Sequence, residues 1–326
     1  MAVQRFIKYV KNLLPSNETP KGFFERQYDA QALQRLSRER RRSDLFDLSS
    51  LCSTSQEYCE QLADHLCTLL KKEERHAVGD FHIGLSDEAN LSCTVEPLGG
   101  SFLILIHRRL FNALRFLTDV YSSSILSTEE KVILLSEYTF AITSEGLFLL
   151  DLPLAPSRHS RYEAEEATLL NGNLMRFLIG HELYHMLPPL VGDFNTSPLP
   201  PKKRLAWESE CKADYFSVTL MLREQNSKTA LLSRYRTAAM QAPILFLTFL
   251  DTIECLRSTS TERPPITRIT QSHPDASMRE MTLSVNLKKN FPKQVNLLRD
   301  TKSTVQPLFK QVQDYISENM TQRRAR

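Results

Sequence analysis

The stretch Phe177-Leu178-Ile179-Gly180-His181-Glu182-Leu183-Tyr184-His185-Met186-Leu187 is greasy enough for the centre of a core, yet it carries two histidines and a glutamate. Burying such groups is costly unless something compensates them. On a helix His181 and His185, four residues apart, fall on one face, so both imidazoles can point at a single ion. Glu182 sits beside the first of them, placed to take a proton from a metal-activated water. The five residues HELYH therefore read as an HExxH pattern. Leu170, Leu174 and Phe177 continue the face bearing the histidines, while Met175, Ile179 and Met186 cover another side. A helix that is apolar nearly all round is a buried helix. Pro188 and Pro189 then stop it.

A catalytic zinc usually has three protein ligands and one open position. The segment WESECKADYF (207–216) supplies the missing acid. Glu210 and Asp214 are four apart on a predicted helix and share a face. Glu210 can bind the metal, while Asp214 can accept the other N–H of a ligand histidine. Glu208 is the rival ligand, two residues away and so on a different face.

Outward from this centre, helical patterns run over about 162–187, 204–224, 228–257 and 294–319. Before them lie three strand-like runs, FHIGLS (81–86), NLSCTVEPL (90–98) and SFLILIH (101–107), with Gly99-Gly100 as a turn signal. Helices are predicted at about 108–121 and 128–142, and GLFLLDL (146–152) reads as a further strand. The fold class is α+β, mainly helical, with a small β-sheet beside the HExxH helix. Three regions are predicted: 1–75, helical; 76–290, holding the site; and 291–326, a C-terminal helix with a basic tail.

Within the first region, MAVQRFIKYVKNLL puts Val3, Phe6, Ile7, Val10 and Leu14 on one face, with Arg5, Lys8 and Lys11 adding charge. Such a helix docks on the domain, rests peripherally on an anionic membrane surface, or serves as a targeting segment. The run Arg38-Glu39-Arg40-Arg41-Arg42 has no interleaved aromatics, and the formal charge of the whole chain is only +3, so no nucleic-acid partner is predicted. No apolar run reaches the roughly 20 residues that a membrane span needs. The nearest, APILFLTFL (242–250), stops at Asp251 and reads as a buried helix. Six cysteines without a CxxC pair or a secretion signal read as reduced thiols in a cytoplasmic protein.

HELYH followed by Glu210-Cys211-Lys212-Ala213-Asp214 resembles the HExxH…ExxAD pattern of gluzincin metallopeptidases, in outline those of the HtpX and CAAX-prenyl-protease type. CTVEPLGGSFLILIHRRL (93–110) is similar to the family's strand–turn–strand before the metal helix, and SHPDASMR (272–279) to its HP…R segment. The resemblance spans roughly residues 76–285. It implies a zincin-like domain, one zinc ion on His181, His185 and Glu210, Glu182 as general base, and Asp214 behind a ligand histidine. It also places His273 and Arg279 near the cleft, ordering it or stabilising an oxyanion.

An extended protein or peptide substrate would pair with the edge of a strand near 101–107. The predicted absence of transmembrane helices points to soluble relatives, such as the phage-exclusion peptidase Lit and, more distantly, the ImmA/IrrE-type regulatory proteases. The implied function is limited cleavage of a particular intracellular protein. The alternative is a non-catalytic protein that keeps the scaffold for binding or regulation.

Overall fold

A computed structural model describes residues 55–86, 91–98, 101–143, 161–188, 194–198, 204–223, 230–259 and 275–324. The elements are α1 (Ser55–Leu69), α2 (Lys72–Val78), β1 (Phe81–Ser86), β2 (Cys93–Leu98), β3 (Ser101–His107), α3 (Arg108–Ser122), α4 (Thr128–Thr143), α5 (Arg161–His185), α6 (Arg204–Arg223), α7 (Ala230–Thr259), α8 (Ala276–Asn290) and α9 (Pro292–Arg324). The described part is mainly helical with one small mixed sheet, in agreement with the α+β expectation. The N-terminal amphipathic stretch, the Arg38–Arg42 run, the strand at 146–152 and His273 lie outside the described residues.

α5 is the axis of the molecule. It packs against α6, α7, α3, α1 and β2, and every residue from Leu169 to Tyr184 is buried. That burial follows from side chains apolar on all sides, among them Leu170, Leu174, Met175, Phe177 and Ile179. The first described helix and the last join the same core, which runs from Tyr58 and Leu62 of α1 to Phe309 and Ile316 of α9. Polar residues on α5 need local answers. The Arg176 guanidinium lies 5.3 Å from the centre of the Tyr235 ring, and Asn173 donates back to the Leu169 carbonyl.

Gly180 serves packing. A Cβ there would stand 2.6 Å from Ser217 Oγ and 3.3 Å from Ser217 Cα, so only glycine lets α6 come this close to α5. Ser217 Oγ then donates to the Phe177 carbonyl at 2.7 Å. The two helices that bear the acid and histidine motifs are thus fixed against each other at the site.

The sheet order is β1-β3-β2, parallel between β1 and β3 and antiparallel between β2 and β3. This corrects the expectation that strand 101–107 offers an edge: β3 is central and paired on both sides. The edge of β1 is capped by α1, where Gln56 donates to the Ile83 carbonyl and accepts from the Leu85 N–H. Among the described residues nothing pairs with the outer edge of β2, the strand that packs on α5.

Two further expectations change. The sequence reading assigned no helix between 258 and 293, yet α8 occupies Ala276–Asn290, started by Asp275, whose side chain accepts from the Met278 N–H at 2.7 Å. The apolar part of α7 is also longer than expected. The stretch Arg234–Leu256, 23 residues, is long and apolar enough by composition to cross a membrane. Its charged residues, including Asp251, do not interrupt the helix; Asp251 accepts from Gln313 of α9 at 2.9 Å. Here 67% of its most apolar stretch is buried inside the fold, against α5, α8 and α9. No disulfide joins Cys59, Cys67, Cys93, Cys211 and Cys255.

Candidate metal centre

The helical period brings His181 and His185 to one face of α5, and α6 crosses that face with Glu210 and Asp214. His181 Nε2 and His185 Nε2 stand 3.2 Å apart. Glu210 closes a triangle, with Oε2 3.3 Å from His181 Nε2 and Oε1 3.4 Å from His185 Nε2. His181, His185 and Glu210 can hold a metal ion. His181 and Glu210 are buried, whereas His185 is exposed, so one side of the group faces solvent. The rival, Glu208, points elsewhere and pairs with Lys212 at 2.5 Å.

Behind the triangle stands a second layer. Asp214 is fully buried and takes the Nδ1 side of His181 at 2.9 Å. An ionised carboxylate only accepts, so Nδ1 carries the hydrogen and Nε2 keeps its lone pair for the ion. Arg279, on α8, grips Asp214 through Nε at 2.8 Å and Nη2 at 2.6 Å. Its Nη2 also comes within 3.5 Å of His181 Nδ1. Arg279 therefore sits behind the ligand, bonded to Asp214.

The electrostatics follow from these contacts. Burial by itself would push the Asp214 carboxyl up, but the Arg279 guanidinium and the bond from His181 outweigh it and hold it below its usual value. Burial likewise disfavours a charged His181, yet its bonds to Asp214 and Glu210 push it up to about 10. The pocket favours a positive charge, be it a proton or a metal ion. Glu182 is buried beside the triangle on the next position of α5. Its charge reaches Cys93 of β2, whose thiol is driven well above its usual value by burial first and by Glu182 next.

Sequence reasoning missed the Gly180–Ser217 contact, the bonding of Arg279 to Asp214, and the loop clamp in which Asn286 of α8 holds Asn195 through both its N–H and its carbonyl. The local signals for α8 were the Asp275 cap and the basic last turn, Lys288 and Lys289. Comparison with protein-family models, with curated proteins and with solved structures finds no match to this chain.

Proposed function

We propose that this protein is a zinc-dependent endopeptidase of the gluzincin type, with a zincin-like small sheet beside its HExxH helix. One observation carries the reading. The two Nε2 atoms stand 3.2 Å apart and each meets a different oxygen of Glu210, at 3.3 and 3.4 Å, close to the about 3.3–3.4 Å between donors that tetrahedral zinc needs with ligands at about 2.0–2.1 Å. Two imidazoles argue against calcium and magnesium, which take oxygen ligands. Two histidines, one carboxylate and an open side fit a catalytic rather than a structural zinc.

Zinc, when bound, supplies a Lewis acid and brings a water's pKa towards neutrality. The chain does the rest. Glu182 takes the proton from the attacking water and passes it to the leaving amine. Asp214 fixes the tautomer and direction of His181, and Arg279 keeps Asp214 ionised and in place. An extended segment of a protein substrate would pair with backbone groups of β2, the strand that packs on α5. As in the soluble gluzincins that the motif resembles, the activity is limited cleavage of a particular intracellular protein.

Purified protein should hold about one zinc per chain, as a single three-ligand site requires. Glu182→Gln should keep the metal and lose cleavage. The decisive comparison maps new protein N-termini in cells expressing wild type or Glu182→Gln. Equal sets of new termini would sink the mechanism, and a biological effect that survives the substitution would favour a binding role for the scaffold.

A further inference from the structure

α7, α8 and α9 enclose a cleft of about 610 Å³ whose walls contain none of the three metal-centre residues. Sites for small molecules span about 300–1,000 Å³ and set a few polar groups around an apolar floor. Here buried Leu247, Ala276 and Phe309 supply the floor. The polar groups are acceptors in excess. Asp251 spends Oδ2 on Gln313 at 2.9 Å, and buried Glu280 spends Oε1 on Lys302 at 2.6 Å. The second oxygen of each carboxylate has no partner among the described residues. Asp314, exposed on α9, adds a third carboxylate. The hydroxyls of Thr248 and Ser277 donate elsewhere, to the Ile244 carbonyl and to Asp275.

A further acceptor follows from the sequence. Pro307, inside α9, has no N–H to return to the Ser303 carbonyl four residues back, and both residues line the cleft. The acceptors fall into two groups: Asp251 and Asp314 beside Gln313, and Glu280 with the Ser303 carbonyl beside Lys302. Gln313 and Lys302 are about 16 Å apart along α9 at the usual rise of a helix, and the apolar floor lies along the cleft with them. Against three carboxylates stand two ammonium groups, Lys302, committed to Glu280, and Lys310, exposed. A ligand that answers this pattern carries positive donors at both ends of an apolar stem. We propose that the cleft binds a linear polyamine, with one terminal ammonium at Asp251 and the other at Glu280 and the Ser303 carbonyl. A fully staggered spermine chain has its end nitrogens about 16 Å apart. The site does not depend on the endopeptidase reading.

Isothermal titration calorimetry of the full chain with spermine tests this without any assay of cleavage. Wild type should bind one spermine per chain, and a twelve-carbon α,ω-diamine of equal span should bind more tightly than putrescine, which carries the same two charges on a shorter stem. Asp251→Asn keeps an oxygen for Gln313 but loses the charge, and should weaken spermine by roughly tenfold or more, as for a hydrogen bond to a charged group. Asp251 is the better target than Glu280, because Glu280 adjoins Arg279 and a change there would disturb the metal centre. Pro307→Ala returns an N–H to the Ser303 carbonyl and should weaken spermine by roughly two- to tenfold, the worth of one net hydrogen bond. Asp300→Asn removes an equal charge from an exposed position of α9 outside the cleft and should leave the affinity unchanged. The proposal is overturned if spermine shows no saturable binding below about 10 mM, or if putrescine matches the long diamine. It is also overturned if either cleft variant binds like wild type. An equal loss in Asp300→Asn and Asp251→Asn would overturn it too, since it would mean attraction to the acidic surface at large.

Discussion

Arg279 and Asp214 form a two-point ion pair sealed from water, with Nε to Oδ2 at 2.8 Å and Nη2 to Oδ1 at 2.6 Å. The arginine is 6% exposed and the aspartate 0%. Because the same Oδ1 takes the His181 ring at 2.9 Å, the pair reaches the metal centre through one atom. It also ties three helices, α5, α6 and α8, at one point.

Removing one partner of such a pair leaves a buried charge alone, which costs about 3–5 kcal/mol. Arg279→Met should therefore lower the denaturant midpoint by an amount in that range. Arg279→Lys keeps the charge but cannot make both bonds, so it should recover only part of the loss. With Asp214 no longer held, zinc affinity measured by chelator competition should fall by roughly 10- to 100-fold, the usual worth of a group that orients a ligand. A variant with normal affinity would show that Asp214 needs no such support.

Gly180 permits a different test of the same geometry. In Gly180→Ala the new Cβ would stand 2.6 Å from Ser217 Oγ, an unacceptable contact, and 3.3 Å from the Ser217 backbone. Rotating the hydroxyl away gives up its bond to the Phe177 carbonyl. The helices must separate or strain, at about 1–3 kcal/mol for overpacking. Since His181 follows Gly180 directly, zinc affinity should drop together with thermal stability. Adding Ser217→Ala should restore part of both, and no recovery would argue that the contact is not the cause.

The sequence disclosed the site better than it disclosed its support. His181, Glu182, His185, Glu210 and Asp214 could be read because helical spacing of polar groups in apolar surroundings is a local pattern. The central place of β3 could not, because pairing partners are set by tertiary packing; the apolar run SFLILIH suits an edge or a central strand equally. Gln56 closing the β1 edge is a contact over 27 residues that no local pattern encodes. The helix α7 was legible, expected over about 228–257 and found over Ala230–Thr259, but its apolar length was not: Asp251 looks like an end in sequence, whereas Gln313 of α9 compensates it inside the continuous helix. The domain-like resemblance to gluzincins rests on the motif and its spacing, which carry chemistry more directly than they carry topology.

A pH-dependent contribution is expected far from the metal. Arg223, at the end of α6, grips Glu74 of α2 at 2.5 and 2.8 Å, and the Lys71 N–H bonds the same carboxylate at 2.8 Å. Burial alone would raise the Glu74 carboxyl, but the bonds from Arg223 and Lys71 and the charges of both hold it below its ordinary value. A depressed native pKa gives stability that is present above the unfolded value and lost as pH falls through the native one. The stability gap between wild type and Glu74→Gln should thus be full at pH 7 and begin to close below about pH 4.3, the ordinary glutamate value. Equilibrium unfolding across that range checks it; a gap independent of pH would mean the pair acts by packing alone.

The choice of third ligand can be made in solution, because two acids two residues apart have been given opposite roles. Glu210 faces both histidine Nε2 atoms, whereas Glu208 is occupied by Lys212 on another side of α6. The sole tryptophan, Trp207, is one turn from Glu210 and packs on Cys211, so its fluorescence can follow a zinc titration. Glu210→Gln keeps the size of the side chain but removes the charge that balances the ion. It should lower zinc occupancy of the purified protein well below one per chain and abolish cleavage, since the remaining pair of histidines falls short of the usual three ligands. Glu208→Gln should retain full zinc and lose only a half-buried ion pair between neighbours on one helix, worth about 1 kcal/mol. If the second variant loses the metal and the first keeps it, the ligand is Glu208, and α6 must turn to present it.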